Sequence, residues 1–378
     1  MDPPDLLPLD AAAATLVGRL WVEDRLPGPR TIAVRGMELF DLSALAPTLS
    51  HLLDLDDPAA KVRSHAGQRL CSLDDALRKG ALLAPCDLQA LKASGVTFAD
   101  SLIERVLEER ARGDAVAAHE LRERLSVALG GELTGIRPGS REAEVARQVL
   151  LRADLWSQYL EVGIGPDAEI FTKAQPMSAI GYGAPIGLPP RSNWSTPEPE
   201  IVLAISSKGR IVGATLGNDF TLRDFEGRSA LLLARAKDNT ASCAIGPFVR
   251  LFDESYSLDD VRSADVHLRI EGRDGYVSEG SHSMARISRD PVDLVVSTIG
   301  AEHQYPDGLM LFLGTMLIPN LDRGGVGKGF THHVGDNVSI SSSALGTLAN
   351  SLVALADAPR WEFGARALMA SLAARGLL

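Results

Sequence analysis

Cysteine is scarce in this sequence, with three residues among 378. Cys71, Cys86 and Cys243 are scattered along the chain and odd in number, which argues against a framework of disulfide bonds. None of them forms a zinc-binding pattern with a nearby histidine. The cysteine content therefore excludes the disulfide-rich and zinc-finger classes and predicts a reducing, cytoplasmic setting.

Positively charged residues are also fewer than negatively charged ones. The chain has 38 Lys and Arg against 49 Asp and Glu, which gives a formal net charge of -11. We therefore expect no nonspecific binding to nucleic acid or to acidic membranes, because both attract a basic surface. No run reaches the roughly 20 apolar residues that span a bilayer, and the first residues lack the features of a signal peptide. These observations predict that neither nucleic acid nor membrane is a partner.

Nucleotide-binding motifs are missing as well. The sequence has no Walker A pattern, no Gly-x-Gly-x-x-Gly after a strand and no helix-turn-helix signature. What is present is ordinary for a soluble globular protein, with 45% apolar and 23% charged residues. The length allows two or more hydrophobic cores.

The character of the sequence changes twice along the chain. Residues 1–95 mix short apolar alternations with turns and predict a small N-terminal α/β domain. Residues 96–160 combine helical spacing with many charges and predict a helical connector. Residues 161–378 are rich in strand-like runs separated by turn residues and predict the main domain.

Individual elements can be predicted inside these regions. Residues 30–34 and 37–40 predict a hairpin, and helical periodicity predicts helices over residues 101–129 and 140–159. Short apolar or alternating runs in the main domain predict strands, namely residues 201–205, 211–216, 266–270, 309–313 and 338–340.

Three acidic residues near the predicted strands 201–205 and 211–216 stand out. Glu198 and Glu200 are two residues apart, so on an extended strand both side chains point to the same face. Asp219 follows the next strand and reaches the same place if the two strands form a hairpin. Three adjacent carboxylates repel each other unless they share a cation, and Mg2+ takes oxygen ligands of this kind. The spacing alone is equally compatible with the solvated face of an edge strand.

A series of further motifs, in order from residue 156 to residue 353, resembles the fumarylacetoacetate hydrolase family. The landmarks are Phe171 and Lys173, Pro185 and Ile186, Glu198 and Glu200, Gly217, Asn218 and Asp219, Arg223 and Asp224, Lys237, Gly246, Pro247 and Phe248, Gly314 and Thr315, and Gly335 and Asp336. Ala174 stands where the family has a proline, and Thr240 where it has an aspartate.

This resemblance implies an α+β fold with a mixed β-roll or sandwich core, a smaller N-terminal domain and connecting helices. It also implies one Mg2+ or Mn2+ and a homodimer or homotetramer. The ligands carried over are Glu198, Glu200 and Asp219, and Lys237 is carried over as a catalytic residue. The substrate-binding residues carried over are Lys173, Arg223 and Thr315.

One departure from the family pattern bears on the reaction. Hydrolytic members carry a His-x-x-Glu dyad that activates water, whereas this chain has Gln158 followed by Glu161. Glutamine cannot accept a proton at neutral pH, so it cannot act as a general base. The flanking sequence, including residues 156–163, 228–234 and 303–308, resembles the family's 2-keto-3-deoxy-pentonate dehydratases.

The expected function is therefore the metal-dependent dehydration of a 2-keto-3-deoxy-pentonate to 2-oxoglutarate semialdehyde. In this hypothesis Glu161 removes a proton from C3 or holds the water that does so, and Lys237 stabilises the enolate. Two alternatives stay open. One is a diketo-acid hydrolase that cleaves a C–C bond, and the other is a non-catalytic sensor of sugar acids.

Overall fold

The structure is a computed structural model of the chain. It describes residues 6–98, 102, 106, 120, 121, 123, 124, 136–317, 319, 321–323, 325 and 329–378. Most of the helix predicted over residues 101–129 lies outside these described residues. No helix within them is long and apolar enough to cross a membrane.

Eighteen strands form the β-structure of the described residues. In chain order they are β1 (Leu16–Val22), β2 (Gly28–Arg35), β3 (Glu38–Asp41), β4 (Gln68–Ser72), β5 (Leu82–Leu83), β6 (Ala90–Gly95), β7 (Glu169–Ala174), β8 (Ile186–Leu188), β9 (Ser195–Thr196), β10 (Pro199–Ile205), β11 (Ile211–Asp219), β12 (Thr221–Leu222), β13 (Cys243–Leu251), β14 (Asp265–Glu271), β15 (Val277–Ser283), β16 (Leu309–Phe312), β17 (Asn337–Ser342) and β18 (Gly346–Ala354).

The helices for which bounds are defined are short and lie between these strands. They are α1 (Leu49–Asp54), α2 (Pro58–Ser64), α3 (Leu73–Arg78), α4 (Arg141–Arg152), α5 (Gln158–Ile164), α6 (Arg223–Glu226), α7 (Leu233–Lys237), α8 (Leu258–Arg262), α9 (Pro291–Thr298) and α10 (Ala365–Ala374). Three 3-10 turns supplement them: Ala230–Leu232, Met284–Arg286 and Leu355–Asp357.

The largest sheet of the described residues has eleven strands, which come from the first 95 residues and from the predicted main domain. Its order is β4-β3-β2-β1-β13-β11-β10-β16-β6-β7, with β5 paired to β1. Strands β1 and β13 pair antiparallel, so Leu16 lies opposite Arg250. Strands β16 and β6 pair parallel, so Leu309 lies opposite Ala90. Backbone hydrogen bonds therefore tie the predicted N-terminal domain to the main domain, and the boundary at residue 95 stays a proposal.

A second sheet of five strands, in the order β15-β14-β17-β18-β8, packs against the first. Strand β14 alternates between buried and exposed residues, as expected for a sheet with one face in a core. Its residue Leu268 shares a hydrophobic cluster with Ile340 of β17 and with Leu203 of β10 in the large sheet. The arrangement confirms the predicted α+β class with a mixed sheet core.

Strand β10 is buried along its whole length because both of its faces are covered. Ile201, Leu203 and Ile205 belong to the cluster shared with the second sheet. Val202 and Ala204 point the other way, into a separate cluster with α1 and α2. A strand buried on both faces is central rather than at an edge, which disfavours the solvated edge-strand interpretation of the neighbouring glutamates.

The strand and hairpin predictions are confirmed, but the single helix predicted over residues 140–159 is wrong. The chain forms α4 and α5 with a break between them, where Asp154 has a positive φ of 55°. Ser157 then caps α5 by accepting a hydrogen bond from the N–H of Leu160. Helical periodicity continues across the break, so it did not reveal this second helix start.

Candidate metal centre and substrate cavity

The β10–β11 hairpin brings the three predicted carboxylates together. Its register pairs Glu200 with Gly217, and the N–H of Asp219 donates to the carbonyl of Glu198 at 2.9 Å. One oxygen from each of Glu198, Glu200 and Asp219 lies within 4.8 Å of the others. Each residue is 1% exposed. We call these three residues the carboxylate trio.

Neighbouring groups hold the trio in place. The side-chain oxygen of Asn218 accepts a hydrogen bond from the N–H of Glu198 at 3.0 Å. Glu200 accepts from the N–H of Gly314 at 2.7 Å and from the hydroxyl of Thr315 at 3.3 Å. Gly314 has a φ of 102°, which favours glycine. The residues after β16 therefore orient one carboxylate of the trio.

Charge repulsion within the trio is substantial. Burial raises the pKa of Glu200 well above its ordinary value, and the adjacent Asp219 and Glu198 raise it further. Lys237 opposes this effect: its ammonium contacts Glu198 and lies 2.8 Å from Asp219 Oδ2. Three buried carboxylates that share an oxygen-rich position fit a hard divalent cation such as Mg2+, which would relieve the remaining repulsion.

Lys237 also defines the wall beside the trio. It ends helix α7, and its ammonium lies 5.4 Å from the ring centroid of Phe171 on β7. A cation over an aromatic face is a favourable contact. The structure thus brings Lys237 and the trio together as predicted, at a position where the ammonium can meet a bound anion.

A cavity of about 240 Å³ opens beside these residues. Glu198, Asp219, Lys237 and Thr315 line it on the trio side. The remaining described lining comes from the β6 end, from β7, from α5 and from residues 226–233, which run from the end of α6 to the start of α7. The cavity thus combines two of the candidate metal ligands with elements that carry other predicted site residues, and with the end of β6, which the sequence did not connect to them.

Four of the predicted site residues are not among the described lining residues of this cavity: Glu200, whose contacts are given above, and Lys173, Arg223 and Glu161. Lys173 is fully buried and lies 3.0 Å from Asp219 Oδ1. Arg223 is buried and donates at 3.2 Å to Glu226, which lines the cavity. Glu161 accepts from the indole N–H of Trp156 at 3.1 Å and lies 3.7 Å from Arg147. Their predicted roles stay proposals.

Sequence reasoning missed three polar groups of the site. Glu169 and Glu226 are carboxylates that line the cavity, and Asn218 supports Glu198. Asn218 stood inside a recognised motif without an assigned role. Glu169 begins β7, four residues before Lys173, and the only signal was this proximity to the motif.

The family model described as fumarylacetoacetate hydrolase, C-terminal, matches residues 153–353. The chain belongs to this family.

Two curated relatives carry more specific names. The 2-dehydro-3-deoxy-D-arabinonate dehydratase of Saccharolobus solfataricus is 32% identical over 180 residues, which is 48% of this chain and 57% of the relative. A probable 2-keto-3-deoxyxylonate dehydratase of Haloferax volcanii is 31% identical over 194 residues, 51% of this chain and 63% of the relative. The matched part thus spans less than two thirds of either relative.

Solved structures support the fold. A 2-keto-3-deoxy-D-arabinonate dehydratase in its apo form has a TM-score of 0.63 at 23% identity, covering 90% of this chain and 99% of that chain. A second structure, of a 2-keto-3-deoxy-D-arabinonate dehydratase complexed with magnesium and 2,5-dioxopentanoate, has a TM-score of 0.62 at 22% identity. It also covers 90% of this chain and 99% of that chain. A 5-carboxymethyl-2-hydroxymuconate delta-isomerase from Mycobacterium smegmatis has a TM-score of 0.53 at 18% identity, covering 90% and 98%. Different activities therefore share this fold.

Proposed function

We propose that this protein is a metal-dependent dehydratase that converts a 2-keto-3-deoxy-pentonate to 2-oxoglutarate semialdehyde and water. The observation that carries the proposal is the buried carboxylate trio beside Lys237 in a small cavity. The names of the two curated relatives support this substrate class. Gln158, in place of the histidine of a water-activating dyad, argues against the hydrolase alternative.

Glu198, Glu200 and Asp219 would hold the cation, which we propose to be Mg2+ or Mn2+. When bound, such an ion supplies a Lewis acid for the oxygens of a 2-oxo acid. Lys237 contributes a fixed positive charge at the same place, so it favours the enolate oxygen that develops when C3 loses a proton. Thr315 and the Gly314 N–H keep Glu200 oriented.

The reaction needs one proton removed from C3 and one delivered to the departing C4 hydroxyl. Loss of water gives a 5-hydroxy-2-oxo-3-enoate. A proton then moves from C5 to C3, and the resulting enol becomes the aldehyde. Glu169 and Glu226 line the cavity and are carboxylates suited to these transfers. Glu161 was predicted for the first transfer; it contacts Trp156 and Arg147 and is not among the described lining residues, so it is compared with Glu169 below.

Paired variants decide between these carboxylates. We expect Glu169→Gln to lower kcat by about a hundredfold or more, since general acid–base groups typically contribute that much. Glu161→Gln should lower kcat less than Glu169→Gln does. Single-turnover kinetics with folded, Mg2+-loaded variants measures both. A larger loss of kcat in Glu161→Gln than in Glu169→Gln would assign the proton transfer to Glu161.

The function itself is tested by incubating the Mg2+-loaded protein with 2-keto-3-deoxy-xylonate or 2-keto-3-deoxy-arabinonate. We expect 2-oxoglutarate semialdehyde to form, and we expect Glu200→Gln to abolish its formation. Release of pyruvate from an acylpyruvate, without dehydration, would favour the hydrolase. Binding of the sugar acid with no turnover would favour a sensor.

The proposal also covers the location, the oligomeric state and the domain division of the protein. We expect the protein to act in the cytoplasm, as its three free cysteines suggest. We expect a homodimer or homotetramer, which the family resemblance implies and which sedimentation can measure. The division into residues 1–95, 96–160 and 161–378 is a proposal that limited proteolysis can test.

A further inference from the structure

Glu226 lies between two buried cations. Its Oε2 accepts a hydrogen bond from Arg223 Nη1 at 3.2 Å, and its Oε1 lies 3.8 Å from the Lys237 ammonium. The side chains of Arg223 and Lys237 are each 2% exposed, and that of Glu226 is 11% exposed. One carboxylate therefore links a buried arginine to the ammonium at the cavity wall.

The arginine side of this link is firmly held. Arg223 and Glu226 begin and end helix α6, and residues three apart lie on the same face of a helix. The N–H of Arg223 donates to the carbonyl of Trp194 at 2.8 Å, and its guanidinium lies 5.6 Å from the centroid of that indole. The Thr221 hydroxyl donates to Glu226 Oε2 at 3.4 Å. These donors fix Oε2 and leave Oε1 on the side of Lys237.

The contacts of Lys237 differ in how they respond to a metal ion. Its ammonium contacts Glu198 and Asp219, which are two of the three candidate ligands. A divalent cation at the trio attracts the same two carboxylates and repels the ammonium, so these contacts weaken when it binds. Glu226 is outside the trio, so its attraction for Lys237 does not compete with the cation in this way.

We propose that Glu226, anchored by Arg223, is a positioning residue that holds the Lys237 ammonium at the cavity wall. Arg223 and Glu226 then act on a bound 2-oxo acid through Lys237. For Arg223 this role differs from the direct substrate contact predicted from the sequence. The inference rests on the proposed function, because it assumes that the 2-oxo acid binds at the trio beside Lys237.

Glu226→Gln breaks this link with little change in shape. Arginine and lysine side chains only donate hydrogen bonds, and the glutamine amide has one oxygen and one NH2 group. Arg223 and Thr221 both donate on the Oε2 side, so we expect the amide oxygen to face them. The NH2 group then faces the Lys237 ammonium, and two donors in contact push Lys237 away.

Binding of 2-oxobutanoate to Mg2+-saturated protein, measured by calorimetry, tests the proposal by its direction. Loss of a negative charge near an anionic ligand would by itself tighten binding. We expect Glu226→Gln to weaken binding roughly tenfold instead, because Lys237 leaves its position. Asp259→Asn is the matched control. Asp259 pairs at 2.7 Å with Arg262, three residues away on α8, and its substitution should leave the affinity unchanged.

Two further measurements identify Lys237 as the intermediary. In a Lys237→Met background, Glu226→Gln should not weaken binding further, because the two residues act through one group. A crystal structure of the Glu226→Gln variant, which needs no change at Lys237, should show the ammonium displaced from its place 5.4 Å from the Phe171 ring centroid. Unchanged or tighter binding in Glu226→Gln would overturn the proposal. So would an equal loss with and without Lys237, or an ammonium that stays in place.

These outcomes are separate from those of the turnover assay, since 2-oxobutanoate has no C4 hydroxyl to lose. If the sugar acids are not dehydrated but the binding and the crystal structure are as expected, the proposed function fails and the positioning inference stands. If dehydration occurs and the effect of Glu226→Gln is independent of Lys237, the inference fails and the function stands.

Discussion

Lys173 is fully buried, and four oxygen atoms surround its ammonium group. It donates to the carbonyls of Phe220 and Lys237, both at 2.8 Å, and to the Ser242 hydroxyl at 3.4 Å. Asp219 Oδ1 lies 3.0 Å away. One side chain thus fixes a candidate metal ligand and the end of the helix that carries Lys237. We propose a positioning role for it.

Lys173→Met tests this role. We expect the free energy of unfolding to fall by about 3 kcal/mol, because the change removes one member of a buried ion pair. Mg2+ affinity should fall roughly tenfold, as for other groups that orient metal ligands. Chemical denaturation and calorimetry measure the two effects. A variant with unchanged stability and Mg2+ affinity but a raised KM would instead support the direct substrate contact predicted from the sequence.

Residue spacing was enough to predict the carboxylate trio, because the alternation of a strand and the return of a hairpin are local properties. The same spacing could not predict Glu169 as a cavity residue. Its position depends on Gly95, which is far away in the sequence and meets it only through the β6–β7 pairing. Lys173 was recognised as part of a motif, but its burial depends on three later segments of the chain.

At the scale of elements, the close packing of β10, β11 and β16 positions the site. Gly217 on β11 lies opposite Glu200, and an added Cβ would lie 2.3 Å from Phe312 Cε1 and 2.5 Å from Val202 Cγ2. Glycine is needed here for space, since both neighbours are fully buried. Phe312 ends β16 just before the residues that contact Glu200.

Gly217→Ala should therefore disturb both packing and the metal centre. We expect a loss of about 2 kcal/mol in the free energy of unfolding, typical of an overpacked core, together with weaker Mg2+ binding. Gly300→Ala is the matched control, because an added Cβ meets no atom within 4 Å there, and it should change stability by no more than about 0.5 kcal/mol. Equal effects of the two substitutions would contradict this account of the packing.

Element types followed from the sequence more readily than element ends did. The β-strands of the main domain were predicted because alternating or continuous apolar runs bounded by turns have few other interpretations. The break between α4 and α5 was not predicted, because it rests on a positive φ at Asp154 and a cap at Ser157 inside a continuous helical pattern.

At the scale of the whole molecule, buried charges link stability to pH. Burial raises the pKa of Asp336, but hydrogen bonds from His332, Arg323 and the His333 N–H outweigh that effect and hold it well below its ordinary value. A carboxyl whose pKa is lowered by folding stabilises the protein above its unfolded pKa of about 4. That contribution is lost as the pH falls below this value.

Asp336→Asn should lower the free energy of unfolding at pH 7 and reduce its dependence on pH below about 5. Denaturant titrations from pH 3 to pH 7 measure both effects. Asp265→Asn is a suitable control, because Asp265 is exposed and begins an outer strand pair. If wild type and Asp336→Asn lose stability in parallel on acidification, Asp336 does not carry the acid sensitivity.

The large sheet also explains why the overall arrangement was only partly predictable. The strand patterns predicted a β-rich main domain, and the family resemblance implied the α+β class and the sandwich core. The pairing of β1 with β13 joins residues more than 200 positions apart, and no local pattern encodes such a contact. The predicted N-terminal domain of residues 1–95 stays a proposal, and its strands belong to the large sheet.

The central claim is that Glu198, Glu200 and Asp219 hold one divalent cation to which a 2-oxo acid binds. The most direct measurement is an anomalous difference map from crystals grown with Mn2+ and 2-oxobutanoate. The account predicts one strong peak per chain that contacts all three carboxylates, with density for the 2-oxo acid beside it and beside Lys237. A map with manganese elsewhere, or with these carboxylates bound only to lysine, would contradict it.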